Sequence, residues 1–176
     1  MIFFGLFSKG MQRNLKFKAG IEMTVDECQR IIDNIFSGYK RIPIWQRTTI
    51  NKGKDAGVSR TMSGRTRHLV NIHSKDWGQR SYWERCALNT CIQGTAADIL
   101  KLSMARLLPF LKDNLWLRPL LTIHDELLFE AEEGHEEEAC RVVKEAMEAK
   151  PFEDFSVPVV SEGAMGKCFG RLEELG

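Results

Sequence analysis

Several features are missing from this 176-residue chain, and each absence narrows what it is. No apolar run reaches the roughly 18 residues that a membrane span needs. The apolar opening, Ile2 to Phe7, is short, has no basic lead and no small-residue cleavage site, so it is not a secretory signal. No C-x-x-C pair occurs. The five cysteines, Cys28, Cys86, Cys91, Cys140 and Cys168, are odd in number and scattered. That argues against a disulfide frame or a zinc site, and for reduced thiols in a cytoplasmic setting. There is no internal repeat and no low-complexity tract. What remains is about one domain's length of chain, with 43% apolar residues, enough for a core.

A net charge of +1 hides a strong polarity. Residues 1–80 carry a net +9, residues 81–125 a net +1 and residues 126–176 a net −9. A basic half facing a polyanion explains this, as does a pair of solvated faces.

Along the chain, Phe3, Phe4, Leu6 and Phe7 are apolar without a polar face, as inside an element that starts elsewhere. Thr24-Val25-Asp26-Glu27 is a capping box. Val25, Cys28, Ile31, Ile32, Ile35, Phe36 and Tyr39 follow it at helical spacing. Gly38 and Pro43 end or reset that helix, and Ile42, Ile44, Trp45 and Ile50 predict a second short one. The polar stretch from Val58 to Leu69 reads as a short strand pair or an ordered loop, whose arginines suit phosphates.

Tyr82 to about Leu108 is the longest helical pattern. Leu88, Ile92, Thr95, Ile99 and Leu102 are expected to face the core. Arg85, Asn89 and Gln93, four apart, form a polar stripe on another face. Surface stripes favour Lys and Glu. Arg, Asn and Gln offer directional donors instead, which nucleic-acid contacts use.

Leu120 to Ile123 and Leu127 to Glu130 are apolar runs of strand length around the short tip His124-Asp125-Glu126. A hairpin with that tip holds adjacent carboxylates at its end, and fixed oxygen ligands suit Mg²⁺. A polar turn with solvated charges is the alternative. Glu133 to Lys150 reads as an amphipathic helix with Glu136, Glu137 and Glu138 in its first turn, where the helix dipole favours anions. Pro151 stops it, and Val157-Pro158-Val159-Val160 reads as an edge strand.

Two of these stretches together resemble a known family. Glu84-Arg85-Cys86-Ala87-Leu88-Asn89-Thr90-Cys91-Ile92-Gln93-Gly94-Thr95-Ala96-Ala97-Asp98-Ile99 is similar to the duplex-contacting helix of family A DNA polymerases, the bacterial polymerase I type. Thr122-Ile123-His124-Asp125-Glu126-Leu127 resembles that family's motif C. Order and separation match as well. The Gly64-Arg65 loop and the closing Gly166-Lys167-Cys168-Phe169-Gly170 are weaker likenesses.

The resemblance implies an α+β fold: a small antiparallel palm sheet with the motif C hairpin, packed with helices of the fingers and palm. It implies partial fingers over residues 1–78 and partial palm over 79–176. It implies a DNA-directed DNA polymerase, a nucleotidyltransferase of replication or repair, using two Mg²⁺ ions in the complete enzyme. Asp125 is then the metal-binding catalytic carboxylate and Glu126 a supporting one. Arg85, Asn89, Gln93, His124, Arg65 and Arg67 are DNA-binding positions. Phe4-Gly5 stands at the family's Phe-Gly, which makes Phe4 a nucleotide-binding position. The implied partners are primer-template DNA and deoxynucleoside triphosphates, with no membrane and a bacterial or virus-infected host cytoplasm.

The departures matter equally. No stretch matches motif A, which holds the second aspartate. Ser8-Lys9 stands where Tyr-Gly is expected. The family's triphosphate-gripping Arg and Lys have no match, and Lys9 and Arg13 do not take their place. The chain therefore reads as a carboxy-terminal fragment that is inactive alone and needs a separately encoded amino-terminal half or a longer gene. A non-catalytic nucleic-acid-binding module derived from a palm is the alternative, and an unfolded remnant a third reading.

Overall fold

The computed structural model describes Gly5 and residues 7–175. The chain forms two compact units, Met1–Gly94 and Thr95–Gly176.

The first unit opens with α1 (Ser8–Asn14), which runs into a π turn over Leu15–Ala19. The capping box then starts α2 (Val25–Gly38). The Glu27 amide donates to Thr24 Oγ1 at 3.2 Å, and the Thr24 amide to Glu27 Oε2 at 2.8 Å. Two of the amides that every helix start leaves unpaired are thereby satisfied. Helix α3 (Arg41–Ala56) is longer than its apolar pattern predicts. Pro43 sits in its first turn, where a missing N–H costs little. A two-stranded antiparallel ribbon follows, β1 (Val58–Arg60) with β2 (Thr66–His68), so the strand pair and not the loop is realised. Helix α4 (Trp77–Asn89) is capped by Asp76, whose side chain accepts from the Gln79 amide, and ends in a π segment, Thr90–Gly94. Leu69, Ile72, Cys86 and Ala87 are buried together against Trp83. Lys54 and Glu84 tie α3 to α4 at 2.6 Å.

The second unit begins with α5 (Thr95–Asp113). The sequence pattern ends near Leu108, yet the helix continues through Pro109. Buried Leu107 on the face before it and the Phe110–Trp116 ring contact after it hold the last turn in place. Then come β3 (Leu117–Ile123), β4 (Glu126–Ala131), α6 (Glu136–Glu148), β5 (Gly163–Met165) and β6 (Glu173–Leu175). The core here is Leu107, Leu117 and Ala139. Arg106 reaches from α5 to the end of α6, donating to the carbonyls of Ala149 at 2.8 Å and Lys150 at 2.7 Å. A helix end leaves such acceptors unpaired, so one guanidinium both caps α6 and docks it. Trp116 stacks on His135 at 4.5 Å just before α6.

The α+β class is as expected, but among the described residues the strands do not join into one sheet. There they form three separate antiparallel ribbons, β1–β2, β3–β4 and β5–β6. The edge strand expected at Val157-Pro158-Val159-Val160 is not formed either. Pro158 has no N–H for a ladder. Val157 and Val160 are exposed, and the chain is tied down just after them, where the Ser161 amide donates to Glu148 at 2.8 Å.

The capping box makes a prediction. The Thr24 amide, and then its hydroxyl, hold the Glu27 carboxyl below its ordinary 4.5. A depressed carboxyl stabilises the fold above the unfolded value, and this is lost as pH falls through the lowered folded value. Thr24→Ala should lower the unfolding free energy by about 1 kcal/mol at neutral pH. Glu27→Gln should flatten the acid limb of stability below pH 4.5. Denaturant melts across a pH series check both.

Candidate carboxylate site and nucleic-acid interface

The hairpin that carries the carboxylates is built from alternation and a tight turn. Strand β3 pairs with β4 from Leu117↔Ala131 to Ile123↔Glu126, with one irregularity between Pro119 and Leu121. Pairing of Ile123 with Glu126 leaves only His124 and Asp125 as the turn. The tip is thus one residue shorter than the sequence reading, with Glu126 already in strand. Two-residue hairpin turns need positive φ in the loop to match strand twist. His124 provides it at φ 54, alone among the described non-glycine residues. Left-handed backbone strains a side chain, and such strain gathers at functional sites.

His124, Asp125 and Glu126 are all exposed. Among the described residues neither carboxylate takes a hydrogen bond or ion pair. Both line a cleft of ≈ 720 Å³ between β4, α6 and β5, with Leu128, Val143, Met147 and Phe169 as its apolar walls. Cys140 also lines it, but burial pushes that thiol up, away from the thiolate a nucleophile needs. Among the described residues no group of three or more His, Cys, Asp or Glu side chains is placed to hold a metal ion. The tip therefore does not make a coordination sphere by itself. It offers the one or two strand-fixed carboxylates that Mg²⁺ takes from a protein when its other ligands come from substrate phosphates or elsewhere.

The polar stripe lies in the first unit. Arg85 is half-buried, its Nη1 donating to Ser81 Oγ at 2.6 Å one turn earlier. The backbone passes directly over it at Gly5, where a Cβ would stand 3.2 Å from Arg85 Cγ and where φ is +82°. Asn89 is half-buried, and its Oδ1 is buried without a partner. Buried polar atoms are normally paired, so this acceptor is an exception within the fold. Gln93 is exposed within the π segment.

The π segment sets how Gln93 lines up with Arg85. In an unbroken α-helix, residues eight apart drift around the axis by roughly 80° at 100° per residue. A π turn absorbs one extra residue and cuts that drift to roughly 20°. The same shift corrects the expected core face. Leu88 and Thr95 are buried as expected, but Ile92 is 49% exposed, because the extra residue turns it outward. Thr90 is buried instead and bonds back to the Cys86 carbonyl at 2.7 Å.

The two ribbon arginines differ. Both are exposed, but Arg65 Nη2 donates to the Gly94 carbonyl at 3.0 Å. Arg67 pairs with Ser59 in the ladder, and among the described residues its guanidinium has no partner. Phe4 lies outside the described residues. Sequence reasoning missed Ser59, Thr61 and Gly94. A glycine in the middle of a helical pattern was the available signal, since it costs about 1 kcal/mol against alanine unless another backbone or side chain must come close.

The sequence model described as DNA polymerase family A matches residues 1–171, and the chain belongs to that family. It is 36% identical over 143 residues to the thermostable DNA polymerase I of Thermus thermophilus, covering 81% of this chain and 17% of that protein. It is 31% identical over 174 residues to the DNA polymerase of Bacillus phage SP01, covering 95% of this chain and 19% of that one. Among solved structures, the POL domain of Pol1 from M. smegmatis, in complex with DNA primer-template and dNTP, superimposes with a TM-score of 0.78. That match has 32% identity and covers 90% of this chain and 27% of the other. The chain thus spans less than a fifth of the length of these curated relatives.

The tip conformation is testable without substrate. A β-branched residue tolerates positive φ poorly, whereas asparagine accepts it. His124→Val should cost about 1–2 kcal/mol of stability, and His124→Asn much less. Equal melting behaviour of the two variants would show that the tip is not held at positive φ.

Proposed function

We propose that the chain supplies part of the fingers (residues 1–78) and part of the palm (79–176) of a DNA-directed DNA polymerase. Its reaction is template-directed nucleotidyl transfer to a primer 3′ end in replication or repair, in the cytoplasm. The observation that carries this is the strand-fixed, exposed Asp125 at the end of a two-residue turn, in a chain of this family.

Asp125 is the metal-binding carboxylate and Glu126 supports it. His124 sits beside the primer end. The chemistry that bound Mg²⁺ supplies is stabilisation of charge on the attacking 3′ oxygen and the leaving pyrophosphate. The chain's own part is to fix one carboxylate on strands and to hold the duplex. Arg85, Asn89 and Gln93 donate to minor-groove acceptors, which lie in nearly equivalent places for every base pair. A copying enzyme needs that degenerate reading, because it must sense pair geometry and ignore sequence. Arg67 contacts phosphate. The partners are primer-template DNA and deoxynucleoside triphosphates, together with an amino-terminal polymerase half that brings the second aspartate and the triphosphate grip.

Primer extension decides between this reading and a non-catalytic binding module. The chain alone with Mg²⁺ should not extend a primer. Co-expressed with an amino-terminal family A half, it should, and Asp125→Ala should reduce extension to background. Extension that survives Asp125→Ala would falsify the catalytic assignment and leave duplex binding as the function. Binding is tested separately by anisotropy with a labelled primer-template. Arg67→Ala should lower the slope of log affinity against log salt by about 0.9, one phosphate contact.

A further inference from the structure

Arg65 was expected to meet phosphate, and the structure gives it other work. We infer that the β1–β2 ribbon is a clamp on the π segment, with Arg65 and Ser59 as positioning residues that keep Gln93 in line with Arg85. The inference rests on the reading of that row as the duplex-contacting face.

The clamp grips the helix backbone at two points that bracket the π segment. Ser59 is 6% exposed, and its hydroxyl donates to the Ala87 carbonyl at 2.9 Å, three residues before the segment begins. Arg65 Nη2 donates to the carbonyl of Gly94, the segment's last residue. Between these points the contact is steric. A Cβ at Gly94 would lie 2.8 Å from Thr61 Cγ2, so the ribbon rests on bare backbone there. Arg65 itself starts from a closed turn. The Thr61 amide donates to the Arg65 carbonyl at 3.0 Å, and the Arg65 amide to Thr61 Oγ1 at 3.1 Å. The guanidinium is thus aimed from a fixed base.

This arrangement supplies what a π turn lacks. An α-helix pairs each carbonyl with the amide four residues on, and one extra residue disrupts that ladder and costs stability. Outside donors on the carbonyls around the insertion offset the cost. Released, the segment would relax toward an α-helix, and Gln93 would swing by roughly 100° about the axis, out of line with Arg85. Arg65 then matters for DNA without touching it.

Two measurements test this, on the purified chain. Hydrogen exchange read over residues 90–95, without DNA, should speed up about tenfold in Arg65→Ala and be unchanged in Arg67→Ala, since losing a charge-assisted bond frees the segment. Arg65 is exposed, so its removal leaves the core intact, and a thermal melt verifies folding. Binding to a labelled primer-template should then weaken several-fold in Arg65→Ala at every salt concentration, with the salt slope unchanged. In a Gln93→Ala background the same change should cost almost nothing, because Arg65 acts through Gln93. Unchanged exchange at 90–95 overturns the clamp. A salt slope lower by about 0.9 also overturns it, by showing a phosphate contact. If the wild-type chain binds no duplex, the polymerase reading fails, while the exchange result still decides whether the clamp exists.

Discussion

A helix that brings side chains eight apart into one line must lose its natural drift. At about 100° per residue, four-residue spacing slips steadily around the axis. In this chain the slip between Arg85 and Gln93 is cut to roughly 20° by one inserted residue, accommodated as a π segment at Thr90–Gly94. Much else follows from keeping that segment in place. The ribbon β1–β2 bonds to the carbonyls on either side of it. Gly94 is bare so that Thr61 can approach. Asn89, just before the segment, keeps a buried acceptor unpaired.

The hairpin solves a different problem by simpler means. A carboxylate that is to share a metal ion must be held still and left unpaired. Strand pairing through Ile123 and Glu126 does the first, and an exposed two-residue turn does the second. The strain of positive φ falls on His124 and not on Asp125. Further along the acidic half, several carboxylates bond within the fold. Glu136 accepts from its own and the Gly134 amide, which holds its carboxyl below the ordinary value, and Glu138 and Glu145 pair with Arg141 along α6.

Most elements could be read from residue pattern, and the exceptions have particular causes. The Thr24–Glu27 box marked the start of α2, and the apolar runs around residues 124–126 marked β3 and β4. Helix α5 ran past its pattern because packing of Leu107 and Phe110 outweighed the broken bond at Pro109. Val157 to Val160 has strand-like composition, but composition supplies no pairing partner. Spacing and family likeness together single out Arg85, Asn89, Gln93 and Asp125 as candidates. The bond from Arg65 to the Gly94 carbonyl is not legible in the sequence, because an arginine in a basic loop reads the same whether it faces phosphate or a carbonyl.

Sequence alone determined the family, the caps, the alternating strands and the carboxylate tip, because each depends on neighbours within a few positions or on a contiguous motif. Only the tertiary structure decided where the long helix departs from α geometry and which way Gln93 faces. The bonds responsible join residues 28 and 29 positions apart. No local pattern encodes the meeting of a ribbon hydroxyl and a guanidinium with two helix carbonyls, since it comes into being only when the ribbon folds back onto the helix.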